Sequence, residues 1–300
     1  MSQRVLICGA SGNFGRNAAQ AFKAAGWEVA PYMRGTDMAQ AAKGADLIVN
    51  ALNPPMYHAW ARLIPEITRQ VLTAAKASGA GVLIPGNVYV YGQQPGPWGP
   101  DTPHRPIARK GHVRAEMEAA YRKAAEDGVR TILLRGGDYM EAGNPGTILN
   151  MITLKPLAKG RITAMGRPAA TRAYAHLPDM ARAAVALAEM REELPAFADL
   201  PFAGHAFSIV ELAAEIGRQT GQEPRITPFA WWQLRLAAPF WELARELREM
   251  RYLYDLDHRM DPAPLRAVLG EVPHTPFDRI VADHLAASGK GQVDPDKTVA

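Results

Sequence analysis

The turn Gly9-Ala10-Ser11-Gly12-Asn13-Phe14-Gly15-Arg16 constrains this chain more than any other segment, because of where it falls. The apolar run Arg4 to Cys8 before it reads as a buried strand, and Asn13 to Ala25 carries apolar residues at helical spacing and stops at Gly26. A strand that passes through three glycines into a helix has a physical use. Gly9 permits a tight exit from the strand, Gly12 lets the backbone approach a pyrophosphate, and Gly15 lets helix pack against strand. The helix N-terminus then offers unpaired N–H groups and a partial positive charge to the anion. The spacing is G-x-x-G-x-x-G rather than G-x-G-x-x-G; its place directly after a strand makes it read as a dinucleotide site. Ser11, Asn13 and Phe14 are assigned to that site, as are Ala51, Leu52 and Asn53 at the end of the apolar run Asp46 to Leu52.

The second strand, Trp27 to Met33, bears on which dinucleotide is held. An NAD site usually has an acidic residue at that strand's end to bind the ribose 2′-hydroxyl. Here the strand runs into Arg34 and meets no carboxylate until Asp37. Arg34 is suited to clamp a 2′-phosphate, with Arg16 assisting, so NADP is expected ahead of NAD; a solvated surface charge is the plainer use of either arginine.

Strands alternate with helices over roughly the first 140 residues, which predicts an α/β fold with a Rossmann-type, doubly wound parallel sheet. Further helices are predicted over Met56 to Ser78, Ala108 to Asp127, Pro178 to Glu192 and Ile209 to Thr220, with strands at Gly81 to Pro85 and Arg130 to Arg135. The organisation expected is a dinucleotide-binding domain over 1–200, with 151–172 contributing to the substrate side, and a smaller, mostly helical substrate domain over 201–300. With 34 Lys+Arg against 30 Asp+Glu the net charge is +4, and the bases are scattered, so no nucleic-acid partner is expected. One cysteine, Cys8, excludes an intramolecular disulfide and reads as a small core residue. No apolar stretch reaches a bilayer's span and no signal-peptide pattern opens the chain, so a cytoplasmic protein with no membrane partner is expected.

Several motifs resemble the short-chain dehydrogenase/reductase superfamily, in its extended or atypical epimerase/dehydratase branch. They are Gly9-x-x-Gly12-x-x-Gly15, Val90-Tyr91-Gly92, Leu134-Arg135-Gly136-Gly137-Asp138-Tyr139, and Tyr174-Ala175-His176-Leu177-Pro178-Asp179-Met180-Ala181. The resemblance implies hydride transfer to or from a nicotinamide, worked by a Ser/Thr, a Tyr and a Lys in the order Tyr-x-x-x-Lys. This chain departs at all three places: Asn87 stands where the Ser/Thr would be, Lys110 where the Tyr would be and Arg114 where the Lys would be. The span between the second strand and Asp46 is also too short for the family's third strand. Asn87 still donates to a carbonyl and Arg114 to ribose hydroxyls, while Lys110 serves as a general acid if burial beside Arg114 lowers its pKa, or else is a solvated helix-face charge. The match also sets Tyr91 and Tyr139 near the pocket as phenols, though each is equally suited to core packing. The function implied is that of an NAD(P)-dependent oxidoreductase, epimerase or dehydratase acting on a small carbonyl or hydroxyl compound. The alternative is an NADP-binding sensor without turnover. A small-molecule substrate is the expected partner, and a homodimer is left open.

No metal-ligand pair at helical spacing is found among the eight histidines, so no metal is expected; Asp255-Leu256-Asp257-His258 reads as a turn between helices. None of the five serines sits in a G-x-S-x-G elbow. Pro228 to Trp241 is rich in aromatics, with Trp232, Leu236, Phe240, Leu243 and Leu247 on one helical face and Trp231, Leu234, Ala238 and Trp241 on another. Two apolar faces imply burial on both sides, so core packing of the substrate domain is expected ahead of a pocket wall or partner surface and of a membrane-surface helix, with Pro239 breaking or kinking the run.

Overall fold

In the computed structural model, which describes residues 3–289, the strands are β1 Arg4–Cys8, β2 Glu28–Pro31, β3 Leu47–Asn50, β4 Gly81–Gly86, β5 Thr131–Arg135, β6 Asp138–Met140, β7 Arg161–Ala164, β8 Arg172–His176, β9 Phe197–Pro201, β10 His205–Phe207 and β11 Arg225–Pro228. The helices are α1 Asn13–Ala24, α2 Met38–Ala41, α3 Trp60–Ser78, α4 Arg109–Glu126, α5 Leu177–Glu189, α6 Ile209–Thr220, α7 Trp231–Ala237, α8 Glu242–Glu249, α9 Tyr252–Asp255, α10 Ala263–Leu269 and α11 Phe277–Ala287. Residues 290–300 of the expected substrate domain lie outside the described residues.

Six strands form one parallel sheet in the order β2-β1-β3-β4-β5-β9. Period-two alternation sends Val5 and Ile7 into a core with Phe14, Phe22 and Met180, and sends Leu6 and Cys8 into another with Ile64, Val71 and Tyr121. Both faces are thus covered, α1 and α5 on one side and α3 and α4 on the other, as a doubly wound sheet requires. Strand β2 is the sheet edge, in keeping with the short span before Asp46. Burial pushes the Cys8 thiol up to about 12, as suits a core residue.

Two smaller sheets, β10-β8-β6 and β11-β7, sit with α6 and α11 around a further core that includes Tyr174, Phe207 and Ile280. Chain order reverses between β1 and β3: β2 lies on one side of β1, and the chain then crosses to β3 on the other. Such a reversal opens a crevice at the carboxyl ends of the two strands, where Gly9 and Ala51 fall.

Three histidines are buried as neutral rings. Burial brings His205 and His284 down to about 4 and His258 to about 3. The His258 Nδ1 accepts the Ala173 N–H at 3.3 Å and the ring stacks on Trp98 at 4.7 Å, so a proton would cost both solvation and a hydrogen bond. Unfolded imidazoles titrate near 6.5, so the stability these rings contribute is complete above that pH and is lost as pH falls toward 4. The denaturant midpoint is therefore expected to fall steadily from neutral pH to about pH 4.5, and a flat midpoint would contradict it.

Candidate active-site cleft

The crevice is a cleft of about 590 Å³. Its floor is the glycine turn. Gly9 has φ +88°, and a Cβ there would lie 2.7 Å from the Ala51 carbonyl oxygen, so only glycine lets the turn close on β3. The Gly12 N–H donates to the Gly9 carbonyl at 2.9 Å, and Gly12 caps α1 with no side-chain cap and no acidic residue in the first turn. The helix end is therefore free to receive an anion.

Of the residues assigned from sequence, Gly9, Ser11, Gly12, Asn13, Phe14, Arg34, Ala51, Leu52, Asn53, Asn87, Arg114 and Tyr139 line this cleft. Gly15 does not: a Cβ at that position would run into the Gly9 carbonyl, so this glycine serves the packing of α1 on the turn. Arg16 is also withdrawn, its guanidinium pairing Glu141 at 2.8 Å. That leaves the exposed Arg34 alone at the end of β2.

Lys110 needs the largest correction. Its ammonium is 2% exposed and pairs with Glu246 and Glu249 of α8, so it does not line the cleft. The pair of carboxylates, brought from α8 by the tertiary fold, turns the lysine into a tie between helices. Tyr91 is corrected as well: it is buried against Trp98 at 5.0 Å, and its hydroxyl donates to the Gly99 carbonyl. Asn87 faces the cleft, but its Oδ1 accepts the Tyr89 N–H at 3.0 Å, leaving its amide N–H groups as the donors it can offer.

Arg114 lies over the Trp60 ring at 4.7 Å and donates from Nη2 to Asn53 Oδ1 at 3.0 Å. Its buried Nε has no hydrogen-bond partner among the described residues. Burial lowers its pKa, yet a guanidinium stays charged at neutral pH.

Two phenols that sequence reasoning missed occupy the same cleft. The Tyr57 and Tyr89 hydroxyls are 3.1 Å apart, and both rings line the wall beside Arg114 and Tyr139. Burial raises the pKa of Tyr57 and Tyr89 and lifts Tyr139 to about 12, so all three are protonated acids at neutral pH. Tyr57 is held there by strained backbone: Met56, Tyr57 and Ala59 have φ of +52°, +61° and +48°. Each such residue costs roughly 1–2 kcal/mol. Glu242 at the start of α8 clamps the segment by accepting from the Ala59 N–H at 3.3 Å and meeting His58 Nδ1 at 2.8 Å, and Trp60 Nε1 donates to the Pro54 carbonyl. Lys110 Nζ sits 5.0 Å from the centre of the Tyr57 ring, touching the site only through that ring. The periodicity predicts a helix from Met56, whereas a 3-10 turn over Pro55–Tyr57 and the positive φ of Met56, Tyr57 and Ala59 delay α3 to Trp60.

The segment 144–152 covers the turn from above. Asn13 Nδ2 donates to the Gly146 carbonyl at 3.0 Å, Asn144 Nδ2 donates to Asn13 Oδ1 at 3.1 Å, and a single π-helical turn, Leu149–Thr153, brings Met151 and Ile152 to the wall.

No protein-family model and no curated protein sequence matches the chain. Solved structures do. The UDP-glucose 4-epimerase from Brucella ovis in complex with NAD is 20% identical, covering 97% of this chain and 99% of its own, with a TM-score of 0.73. The UDP-glucuronic acid 4-epimerase from Bacillus cereus in complex with UDP-glucuronic acid and NAD is 15% identical over 96% and 99%, with a TM-score of 0.76. The fold is that of the NAD-dependent sugar epimerases. A nucleoside-diphosphate-sugar epimerase from Pseudomonas aeruginosa, 16% identical over 97% and 100% with a TM-score of 0.71, has it too. At these identities the fold is what is shared.

The aromatic run departs from expectation. Pro239 breaks it, so Leu243 and Leu247 belong to α8 and face the cleft, while Leu234 and Ala238 pack inward from α7. Trp232 is 63% and Phe240 94% exposed, so this stripe is surface and not core.

Proposed function

We propose that the chain is a nicotinamide-dinucleotide-dependent enzyme of the epimerase, dehydratase or oxidoreductase type, with a sugar nucleotide as the first substrate class to test. The observation that carries the reading is that a pyrophosphate-accepting turn and a pair of protonated phenols share one cleft at the sheet's switch point. The residues present fit the cofactor: a glycine cradle that a Cβ would fill, an open helix N-terminus, and the unpartnered Arg114 Nε. Gly9, Ser11, Gly12 and Asn13 would hold the pyrophosphate, and Arg114 a ribose hydroxyl. When bound, the nicotinamide accepts or gives the hydride. In the direction in which the nicotinamide gives the hydride to a carbonyl carbon, Tyr57 would supply the proton to the carbonyl oxygen, Tyr89 would hold the Tyr57 hydroxyl, and Asn87 would donate from its amide to the same oxygen.

NAD stands ahead of NADP in this reading, which reverses the expectation from sequence. The epimerase structures described above that contain a dinucleotide contain NAD. With Arg16 committed to Glu141, a 2′-phosphate would gain only the exposed Arg34, an ion pair worth about 0–1 kcal/mol. Calorimetric titration should show NAD binding at least as tightly as NADP, any contribution of Arg34 to NADP being worth no more than about fivefold. Arg34→Ala should weaken NADP by no more than that factor and leave NAD unchanged. Product analysis with UDP-glucose and UDP-glucuronic acid tests the chemistry. Firm NAD binding without turnover of either would favour the sensor, and failure to bind either dinucleotide would sink the reading.

A further inference from the structure

Four of the large apolar side chains most exposed to solvent fall within ten residues: Trp232 at 63%, Leu236 at 69%, Phe240 at 94% and Trp241 at 48%. They lie on α7 and on the elbow that Pro239 makes before α8. The opposite side of the same segment is anchored, because Leu234, Ala238, Ala244 and Leu247 form a small core with Tyr57 beneath. The outer stripe is thus held rigidly in water, where a folded chain gains nothing by displaying it.

Charge on this segment is sorted in the same way. Its three acids are turned toward the body of the protein: Glu242 meets His58, and Glu246 and Glu249 meet Lys110, with Arg109 also on Glu246. Its arginines are turned out. Arg235, Arg245, Arg248 and Arg251 are exposed, and none forms an ion pair among the described residues. Arg245 donates to the Ala238 carbonyl and Arg251 lies over the Trp231 ring, which holds their cationic ends near the surface. With Trp231, Trp232 and Glu249, whose carboxylate is paired with Lys110, these arginines line an open groove of about 640 Å³.

We propose that α7, the Pro239-Phe240-Trp241 elbow and the outer face of α8 form a docking surface for a membrane rich in anionic phospholipid. Protruding aromatic and leucine side chains enter the headgroup boundary, and the arginines beside them meet lipid phosphates. A second copy on the same face would set these arginines against their own kind, which costs energy in an isologous contact. No helix among the described residues is long and apolar enough to cross a membrane, so the contact is peripheral. This replaces the expectation from sequence that no membrane is involved, in which a membrane-surface helix here was only a minor alternative.

Co-sedimentation with vesicles tests the surface, using the full chain. It should pellet with phosphatidylcholine vesicles in which phosphatidylglycerol makes up about a third of the lipid, but not with phosphatidylcholine alone. Tryptophan emission should shift to the blue on binding, and salt should release the protein. Phe240→Ser and Trp232→Ser should each weaken binding about tenfold or more. Arg235→Gln and Arg248→Gln should each weaken it about fivefold. These side chains are exposed, so thermal melts and NAD titrations of the variants should match the wild type, which separates failure here from failure of the cleft assignment. Absence of binding, equal binding to neutral vesicles, or undiminished binding in all four variants overturns the proposal. A solution dimer that Phe240→Ser splits would assign the surface to a second copy and overturn it too.

Discussion

Arg135→Met is expected to cost about 3–5 kcal/mol of stability, the range for stranding buried charges by removing their partner. Arg135 is fully buried, and its guanidinium meets Glu118 at 2.8 and 3.0 Å and Asp199 at 2.8 and 3.2 Å. It also donates to the Asn87 carbonyl at 2.7 Å, fixing the start of the loop that carries Tyr89. Methionine fills much of the volume but leaves two carboxylates facing one another without a cation. Both would have to take up protons or admit water, and either costs free energy. Since whole domains are stable by only about 5–15 kcal/mol, the variant should show a much lower urea midpoint. Adding Glu118→Gln and Asp199→Asn should recover part of the loss by removing the stranded charges. If the single variant melts like the wild type, this network is not what holds β5 to α4 and β9. His104, Glu118 and Asp199 also bring donor atoms together, and Arg135 already lies between the two carboxylates.

Tyr57→Phe should lower turnover about 100- to 10,000-fold while leaving NAD affinity within about twofold of the wild type. The change removes one oxygen from a ring whose packing on Trp60 it preserves, so cofactor binding and folding should be little affected. Tyr89→Phe should have a smaller effect, because it removes the partner of the Tyr57 hydroxyl and not the donor itself. Lys110→Met separates the two accounts of that lysine. A general acid would lose turnover with stability intact. A tie between helices would lose stability, because Glu246 and Glu249 would then lack their buried cation. Steady-state kinetics with the substrate the wild type converts, beside denaturant melts, reads both. Full activity in Tyr57→Phe would remove the phenol from the mechanism.

The pyrophosphate turn was legible in the sequence because its requirements are local. A tight exit, a close backbone approach and a helix start each impose a residue type at a set spacing, and Gly9, Gly12 and Gly15 meet them within seven residues. The signal for β1, β3, β4 and β5 was equally local, since core strands buried on both faces read as nearly continuous apolar runs. Strands β8 and β9 escaped notice because each carries polar residues, Arg172 and Asp199 among them, whose partners Asp138 and Arg135 come from elsewhere in the chain. The cleft's chemistry was readable only in part for the same reason. Asn87, Arg114 and Tyr139 lie close to strand ends that the pattern located. Lys110, by contrast, meets its acids 136 and 139 residues away, and Tyr57 is aimed by a clamp from Glu242, which lies 184 residues beyond the His58 it meets. Spacing along a chain determines local geometry, where neighbours are neighbours by covalent length. The use of a charge or a phenol depends on what the folded chain sets beside it. In this protein, therefore, the sequence by itself determined the glycine turn and the parallel sheet, and only the tertiary structure decided which lysine ties two helices together, which tyrosines share the cleft and which aromatic stripe faces water.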